Sequence, residues 1–333
     1  MVGLKFYSLV SLAVCFIPLT LSLLGSQALK GSEIQLKTPT GILYGTELIT
    51  KSDEPQPVVL IIAGSGPTDR NGNSTLIPRQ NNSLKLLAEG LANHGIASIR
   101  YDKRGIGKSA SAAPKEADLL FETYVQDAAL WIQKLKADAR FSSITIMGHS
   151  EGSLVGILAA QRTGANAFIS VAAPARNASQ VLREQLRSQL PTVLWQESER
   201  ILAALEQGKQ AASVSPELNE LFRASVQPYL ISWFRYTPAQ EIKRLTMPVL
   251  IVQGTTDIQV PVSEAQALKM AKPDAELKII EGMNHVLKAV PPDPKQQIAS
   301  YSEPRLLIVP ELVEVIYQFI ARPFTVNPKI SNS

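Results

Sequence analysis

Apolar residues fall into two kinds of run along the chain. Residues 58–63, 96–101, 143–147, 167–171, 249–252 and 276–280 are short and nearly continuous, as in strands buried on both faces. Ahead of them residues 33–37 alternate, and residues 41–50 read as a second strand after the Thr38-Pro39-Thr40-Gly41 turn. Between the runs lie amphipathic stretches with helical spacing: 84–93, closed by His94-Gly95, then 119–136, 153–161, 262–271 and 311–321. Strands alternating with helices predict an α/β fold, a mostly parallel sheet covered on both faces.

One interval breaks the alternation. Between the strand ending near Val171 and the strand starting at Val249 no strand-like run occurs. Residues 179–190, 191–205, 216–225 and 227–235 all read as helical, with Pro191 suited to a first helical position. The expected organisation is a core of residues 29–172 and 247–333, interrupted by a helical cap insert at 173–246.

The start of the chain follows a third pattern. Lys5 precedes residues 6–24, which carry no charge, and Ser26 and Ala28 supply small residues after them. This matches an export signal cut after Ala28, so residues 1–28 are expected to be removed and the protein exported to a periplasm or medium. An uncleaved segment would instead anchor the chain, since ~20 apolar residues span a bilayer. Pro18 and the interspersed Ser and Thr favour cleavage. Cys15, the only cysteine, has Val14 before it and an apolar stretch after it, which argues against lipidation there. The mature chain then holds no disulfide.

At 333 residues, with 45% hydrophobic and 19% charged residues, the chain is long and apolar enough for a substantial core. The net charge of +4 is not clustered. Lys103, Arg104 and Lys108 are interrupted by glycines and read as a loop, which excludes a nucleic-acid footprint.

The chemistry concentrates at the ends of the apolar runs. Gly148-His149-Ser150-Glu151-Gly152 directly follows one strand and directly precedes a helix, the setting a G-x-S-x-G nucleophile turn requires. A serine hydroxyl needs a base. Of three histidines, His149 adjoins the nucleophile and reads as a packing residue, and His94 sits at a helix end where it suits a cap. His285, in the loop after the last strand, remains as the base. Asp257 follows the run 249–252 in a tight turn at the same sheet edge and is the acid that orients His285. A helix cap is the other role open to Asp257, but it lies too far ahead of the helix near Val262. A developing oxyanion needs backbone N–H donors. Ser65, or Gly66, in Ala63-Gly64-Ser65-Gly66-Pro67 supplies one, and Glu151 supplies the other. The G-K-[ST] ending of a phosphate loop is absent there.

These motifs together resemble the α/β-hydrolase superfamily, in its secreted bacterial esterase-like branch. The resemblance rests on AGSGPTDRNGN (63–73), RYDKRGIGKS (100–109), GHSEG (148–152), QGTTDIQVP (253–261) and GMNH (282–285). It implies an eight-stranded sheet and the Ser150, Asp257 and His285 triad. The chain departs from the pattern at Ala63, where relatives carry histidine before the oxyanion glycine. Asp102 and Arg104 match a family turn that is mostly structural.

The expected activity is hydrolysis of a small carboxylic ester through an acyl-enzyme, without metal or organic cofactor. No stable membrane partner is expected once the signal is cut, and the oligomeric state is left open. Trp195, Trp233, Phe234 and Tyr236 in the insert suit either an acyl pocket or the seat of the cap. Two other readings stand beside this one. A peptidase of the prolyl-aminopeptidase type would need an anionic clamp, for which Glu197, Glu199 and Glu206 are available. A non-catalytic binding protein on the same fold is disfavoured because all three triad residues are kept.

Overall fold

The computed structural model describes residues 31–77, 79–113 and 115–322. The segment expected to be the export signal lies outside these residues. Eight strands form one sheet: β1 (Ser32–Thr38), β2 (Gly41–Leu48), β3 (Gln56–Ile62), β4 (Ala97–Tyr101), β5 (Phe141–His149), β6 (Ala167–Val171), β7 (Val249–Gly254) and β8 (Glu276–Ile280). Their order is β1-β2-β4-β3-β5-β6-β7-β8. β2 pairs antiparallel with β1 and β4, and all remaining neighbours are parallel.

The helices are α1 (Ser83–Ala92), α2 (Phe121–Lys136), α3 (Glu151–Thr163), α4 (Ala178–Gln189), α5 (Thr192–Glu206), α6 (Asn219–Phe222), α7 (Gln227–Trp233), α8 (Pro238–Glu241), α9 (Val262–Ala271), α10 (Pro294–Ser300) and α11 (Pro310–Ile320). α1 and α11 cover one face, where Leu84, Leu87, Leu91, Leu312 and Ile316 meet Val59, Ile61 and Met147. α2, α3 and α9 cover the other, where Val125, Ile132, Val155 and Leu268 meet Leu60, Ile62 and Ile146. With both faces covered, the central strands have no side left for polar residues. That is why they appear in the sequence as continuous apolar runs.

The connection from β3 leads to β4 on one side, and that from β5 leads to β6 on the other. β3 and β5 are neighbours, so their carboxyl ends flank the point where the winding reverses. A crevice opens at such a point in an open α/β sheet. The loop after β3 carries Ser65 and the turn after β5 carries Ser150.

Helices α4 to α8 occupy the interval between β6 and β7. They gather a small apolar cluster of their own around Leu202, Leu205, Phe222 and Leu230. Two local expectations need correction. Pro191 is extended at φ −55, ψ 152 and stands before α5 as its N-cap rather than inside it. Its own ring disfavours helical backbone at Leu190, which is likewise extended. Residues 216–225 are not one helix. A 3-10 turn and the four-residue α6 end at Arg223, which is extended and bonds Glu116 of the core through Nε at 2.8 Å.

Candidate active site

The turn after β5 is built around missing side chains. A Cβ on Gly148 would run into the backbone of Gly152 and Ser153, and one on Gly152 would run into the carbonyls of Ile62 and Ala63. The two glycines therefore let α3 start hard against the ends of β5 and β3. Between them Ser150 sits at φ 54, ψ −124, a conformation unfavourable for a residue with a Cβ. Its N–H is fixed to Val171 O at 2.9 Å. The hydroxyl does not cap α3, so it is left free at the N-terminus of that helix.

Asp257 and His285 meet directly. His285 Nδ1 lies 2.8 Å from Asp257 Oδ2. Gln253 Nε2 donates to the same oxygen at 3.1 Å, and the N–H groups of Gln259 and Val260 donate to Oδ1 at 2.8 and 2.9 Å. Burial by itself would raise the Asp257 carboxyl. The His285 imidazole and the backbone donors outweigh it, and the group is held below its ordinary value. Asp257 thus spends its oxygens on its own loop and on His285. It does not cap α9, whose N-cap is Pro261.

The approach of these two loops also depends on a glycine. A Cβ on Gly254 would overlap the carbonyl of Met283, two residues before His285. Thr256 N–H donates to that same carbonyl at 3.2 Å.

No hydrogen bond joins the Ser150 hydroxyl to His285 among the described residues. They are linked through His149, whose Nε2 lies 2.8 Å from the His285 carbonyl and whose ring centroid is 4.8 Å from that of His285. His149 is therefore more than the packing residue expected from the sequence. Desolvation, with His285 nearby, pushes its pKa down to about 4, so it is neutral near pH 7. His94, expected to cap carbonyls, instead stacks its ring on Tyr317 at 4.5 Å.

The donors proposed for an oxyanion face one space. Ser65 and Glu151 both line a cavity of about 670 Å³ beneath the helical insert. The N–H groups of Ser65, Gly66 and Glu151 donate to nothing among the described residues. A narrower cleft beside the cavity is lined by Ser150, Glu151, Leu154 and Trp233. Of the four insert aromatics singled out in the sequence only Trp233 lines either space, and Tyr229 of α7 joins it on the cavity wall. Tyr236 packs on Phe121 and bonds Glu122, and Phe234 joins the insert's own core. The apolar wall comes mainly from leucines, with Leu182, Leu186 and Leu190 on and just after α4 facing Leu221 and Leu230. Those leucines repeat every fourth residue and so share one helix face.

The acids named for a peptidase clamp are engaged elsewhere. Glu197 accepts from Ser215 N–H, and Glu199 and Glu206 pair with Arg183. None of the three lines the cavity, whereas Glu217 and Glu220 do. Asp102 and Arg104 are structural as expected. Asp102 accepts from Arg70 and from Lys108 N–H, and Arg104 is paired with Asp127.

The sequence matches the family described as serine aminopeptidase, S33, over residues 81–289. The chain belongs to that family of α/β-hydrolases. It is 28% identical over 248 residues to Esterase EstD of Thermotoga maritima, an alignment covering 74% of this chain. The chain spans only 58% of the length of that relative. Among solved structures it resembles Est1E from Butyrivibrio proteoclasticus, seen with ferulic acid bound, at a TM-score of 0.58 and 20% identity. That match covers 87% of this chain and all of the other. It also resembles an acylaminoacyl peptidase of Pyrococcus horikoshii, at a TM-score of 0.53 and 16% identity over 91% of this chain and 43% of that one. At such identities the two structures speak for the shared fold.

Proposed function

We propose that the protein hydrolyses small carboxylic esters at Ser150 through an acyl-enzyme. The observation that carries this reading is the 2.8 Å bond between His285 Nδ1 and Asp257 Oδ2. It holds the imidazole with Nε2 unshared, in the state a base for Ser150 requires. Substrate binding draws Ser150 Oγ to Nε2, a bond that apo sites often lack. Oγ attacks the ester carbonyl as its proton passes to Nε2. The carbonyl oxygen becomes an oxyanion and takes hydrogen bonds from the Ser65 and Glu151 N–H groups. His285 returns the proton to the departing alcohol. Water, deprotonated by the same nitrogen, then releases the acid and frees Ser150.

The insert at residues 173–246 serves as a cap, and its leucine-lined cavity receives the apolar part of the substrate. Two features favour an ester over an amino-terminal peptide. The cavity wall is mostly apolar, and the acids on α5 are already paired. The peptidase reading rests on Glu217 and Glu220, which stand where a free amine could meet them. Parallel assays with a 4-nitrophenyl acyl ester and an aminoacyl anilide separate the two readings. Turnover of the ester alone supports the first, and turnover of the anilide at equal or greater kcat/KM replaces it with the second. Ser150→Ala should abolish ester turnover, with a loss on the order of a million-fold. A folded Ser150→Ala protein with substantial activity would overturn the assignment.

Export with removal of residues 1–28 belongs to the same proposal, and is checked by mass spectrometry of protein recovered outside the cytoplasm. A mature N-terminus near Leu29 supports it, and an intact Met1 in the membrane fraction supports the anchored form.

A further inference from the structure

Lys103 lies at the end of β4, away from the triad, yet its ammonium reaches the oxyanion side of the site. Nζ donates to the Gly64 carbonyl at 2.5 Å and lies 3.2 Å from Glu151 Oε1. It also stands 5.1 Å over the Tyr124 ring. Both side chains of the ion pair are only 2% exposed. An ion pair so deeply buried adds little to stability by itself, because desolvation offsets the attraction. Its position has a more specific consequence.

The Gly64 carbonyl and the Ser65 N–H belong to one peptide unit. That peptide is trans, since no cis bond occurs among the described residues. Its C=O and N–H therefore point in opposite directions. An ammonium on the carbonyl side fixes the plane of the peptide and aims the N–H the other way, where Ser65 faces the cavity. A charged donor on the carbonyl also polarises the amide and strengthens the N–H as a donor. The second contact of the same ammonium holds the side chain of Glu151, whose own N–H is the other donor. Glycine at position 64 gives the loop its freedom, and a Cβ there would come within 3.1 Å of Ser150 Cβ. A loop so free needs an external tie.

We infer that Lys103 is a positioning residue that clamps both oxyanion donors from behind, setting the Ser65 peptide through Gly64 O and the Glu151 N–H through the Glu151 carboxylate. This rests on the ester-hydrolase reading of Ser150. Lys103 borders the cavity, but its ammonium is engaged by Gly64 O and Glu151 Oε1, so its effect falls on the transition state more than on substrate binding.

The test compares wild type, Glu151→Gln, and the double variant Lys103→Met/Glu151→Gln, which removes the clamp without stranding a buried charge. Lys103→Arg is the fourth protein. It keeps the charge beside Glu151 but replaces a compact ammonium with a planar fork. Rates are divided by active sites titrated with a fluorophosphonate, and affinity is measured for an alkyl trifluoromethyl ketone, which forms a tetrahedral oxyanion on the serine. Loss of one oxyanion donor typically lowers kcat by about 10²- to 10³-fold. The double variant and Lys103→Arg are each expected to lose about 10²-fold or more in kcat, with KM within threefold and a matching loss of ketone affinity. Glu151→Gln alone serves only as the reference for the double variant, so that the further loss on adding Lys103→Met is read against it. Should the double variant not fold, Lys103→Arg carries the same comparison. A merely structural role would lower melting temperature and titratable sites but leave kcat per site within threefold, and that result overturns the clamp. Wild type without Ser150-dependent turnover would remove the ester reading and the clamp together, whereas normal turnover in every Lys103 variant removes the clamp alone.

Discussion

His149 Nε2 donates its proton to the backbone carbonyl of His285, across 2.8 Å. A carbonyl oxygen can only accept, so this contact fixes the proton on Nε2 and leaves Nδ1 bare. The residue before Ser150 thus supports the backbone of His285, while Asp257 bonds its ring. His149 is neutral scaffolding, and its burial shows up in the acid stability of the fold.

Folding lowers the His149 pKa from an ordinary value of about 6.5 to about 4. Between those values the unfolded chain binds a proton that the native protein excludes. Stability is therefore unaffected by this group above about pH 6.5, falls as pH drops from 6.5 to 4, and levels off below 4. The full span corresponds to roughly 3 kcal/mol, at about 1.4 kcal/mol for each pKa unit. Asp257 acts in the same direction at lower pH, because its lowered pKa adds stability that is lost as its carboxylate protonates. Urea unfolding at pH 7 and pH 4.5 should show the loss in wild type and a smaller one in His149→Gln. Equal losses in the two proteins would mean that His149 is not the group responsible.

Asp257→Asn separates orientation from simple loop support. The amide keeps the shape and one acceptor for the Gln259 and Val260 N–H groups, so folding should be nearly retained. It favours the wrong imidazole tautomer, and the rate should fall by up to ~10⁴-fold. The double variant Asp257→Asn/His285→Ala should be little worse than His285→Ala, because residues acting as one unit lose their function once. Steady-state kinetics on an aryl ester check both statements, and multiplying losses would show independent action.

The parts of this fold that could be read in the sequence are those where local pattern and final burial coincide. The central strands are covered on both faces, so their runs of Val, Ile and Leu mark them directly. Asp257 and His285 each follow such a run, and that position alone places them at one sheet edge. Lys103 and His149 were not legible in this way. Lys103 sits in a basic, glycine-broken stretch that reads only as a loop, and the pairing of β4 beside β3 brings its ammonium to Gly64. His149 was overshadowed by the serine beside it. For the insert aromatics the sequence leaves two roles open, the pocket or the seat of the cap. Insert aromatics attract attention, but Phe234 and Tyr236 are used to hold the insert together and to the core. The α4 leucines show their spacing plainly, yet nothing in that spacing says that they face an open space.

Gly254→Ala tests how closely the loops carrying Asp257 and His285 must approach. The added Cβ falls on the Met283 carbonyl, which is backbone and cannot swing aside. Either β7 or the loop carrying His285 must shift. Overpacking of this kind costs about 1–3 kcal/mol or more, and here the strain falls on the Asp257–His285 contact. Melting temperature should drop, and the protein that remains folded should show a lower kcat. Gly208→Ala is the control for backbone alone. Unlike Gly254 it has a positive φ, 74°, so an alanine there is strained in its backbone, but no atom lies within 4 Å of an added Cβ and its activity should be retained.

Leu186 offers the most direct probe of what the cavity holds. It lies half-buried on α4 between Leu182 and Leu190, and all three face the space of about 670 Å³ under the insert. It belongs to α4 and to no strand, and can be enlarged without disturbing the sheet. Leu186→Trp should fill part of the cavity and exclude the far end of a long acyl chain while leaving room for a short one. Each methylene that finds an apolar wall contributes about 0.8 kcal/mol, so losing contact for two or three of them should lower kcat/KM about tenfold or more. The expected result is a selective fall for octanoyl esters, with acetyl esters and fluorophosphonate labelling of Ser150 unchanged. Measuring kcat/KM across an acyl series in wild type and variant decides the matter. An equal fall at every chain length would mean that α4 supports the site as a whole, and no fall at any length would place the acyl group in the narrower cleft beside Leu154 and Trp233.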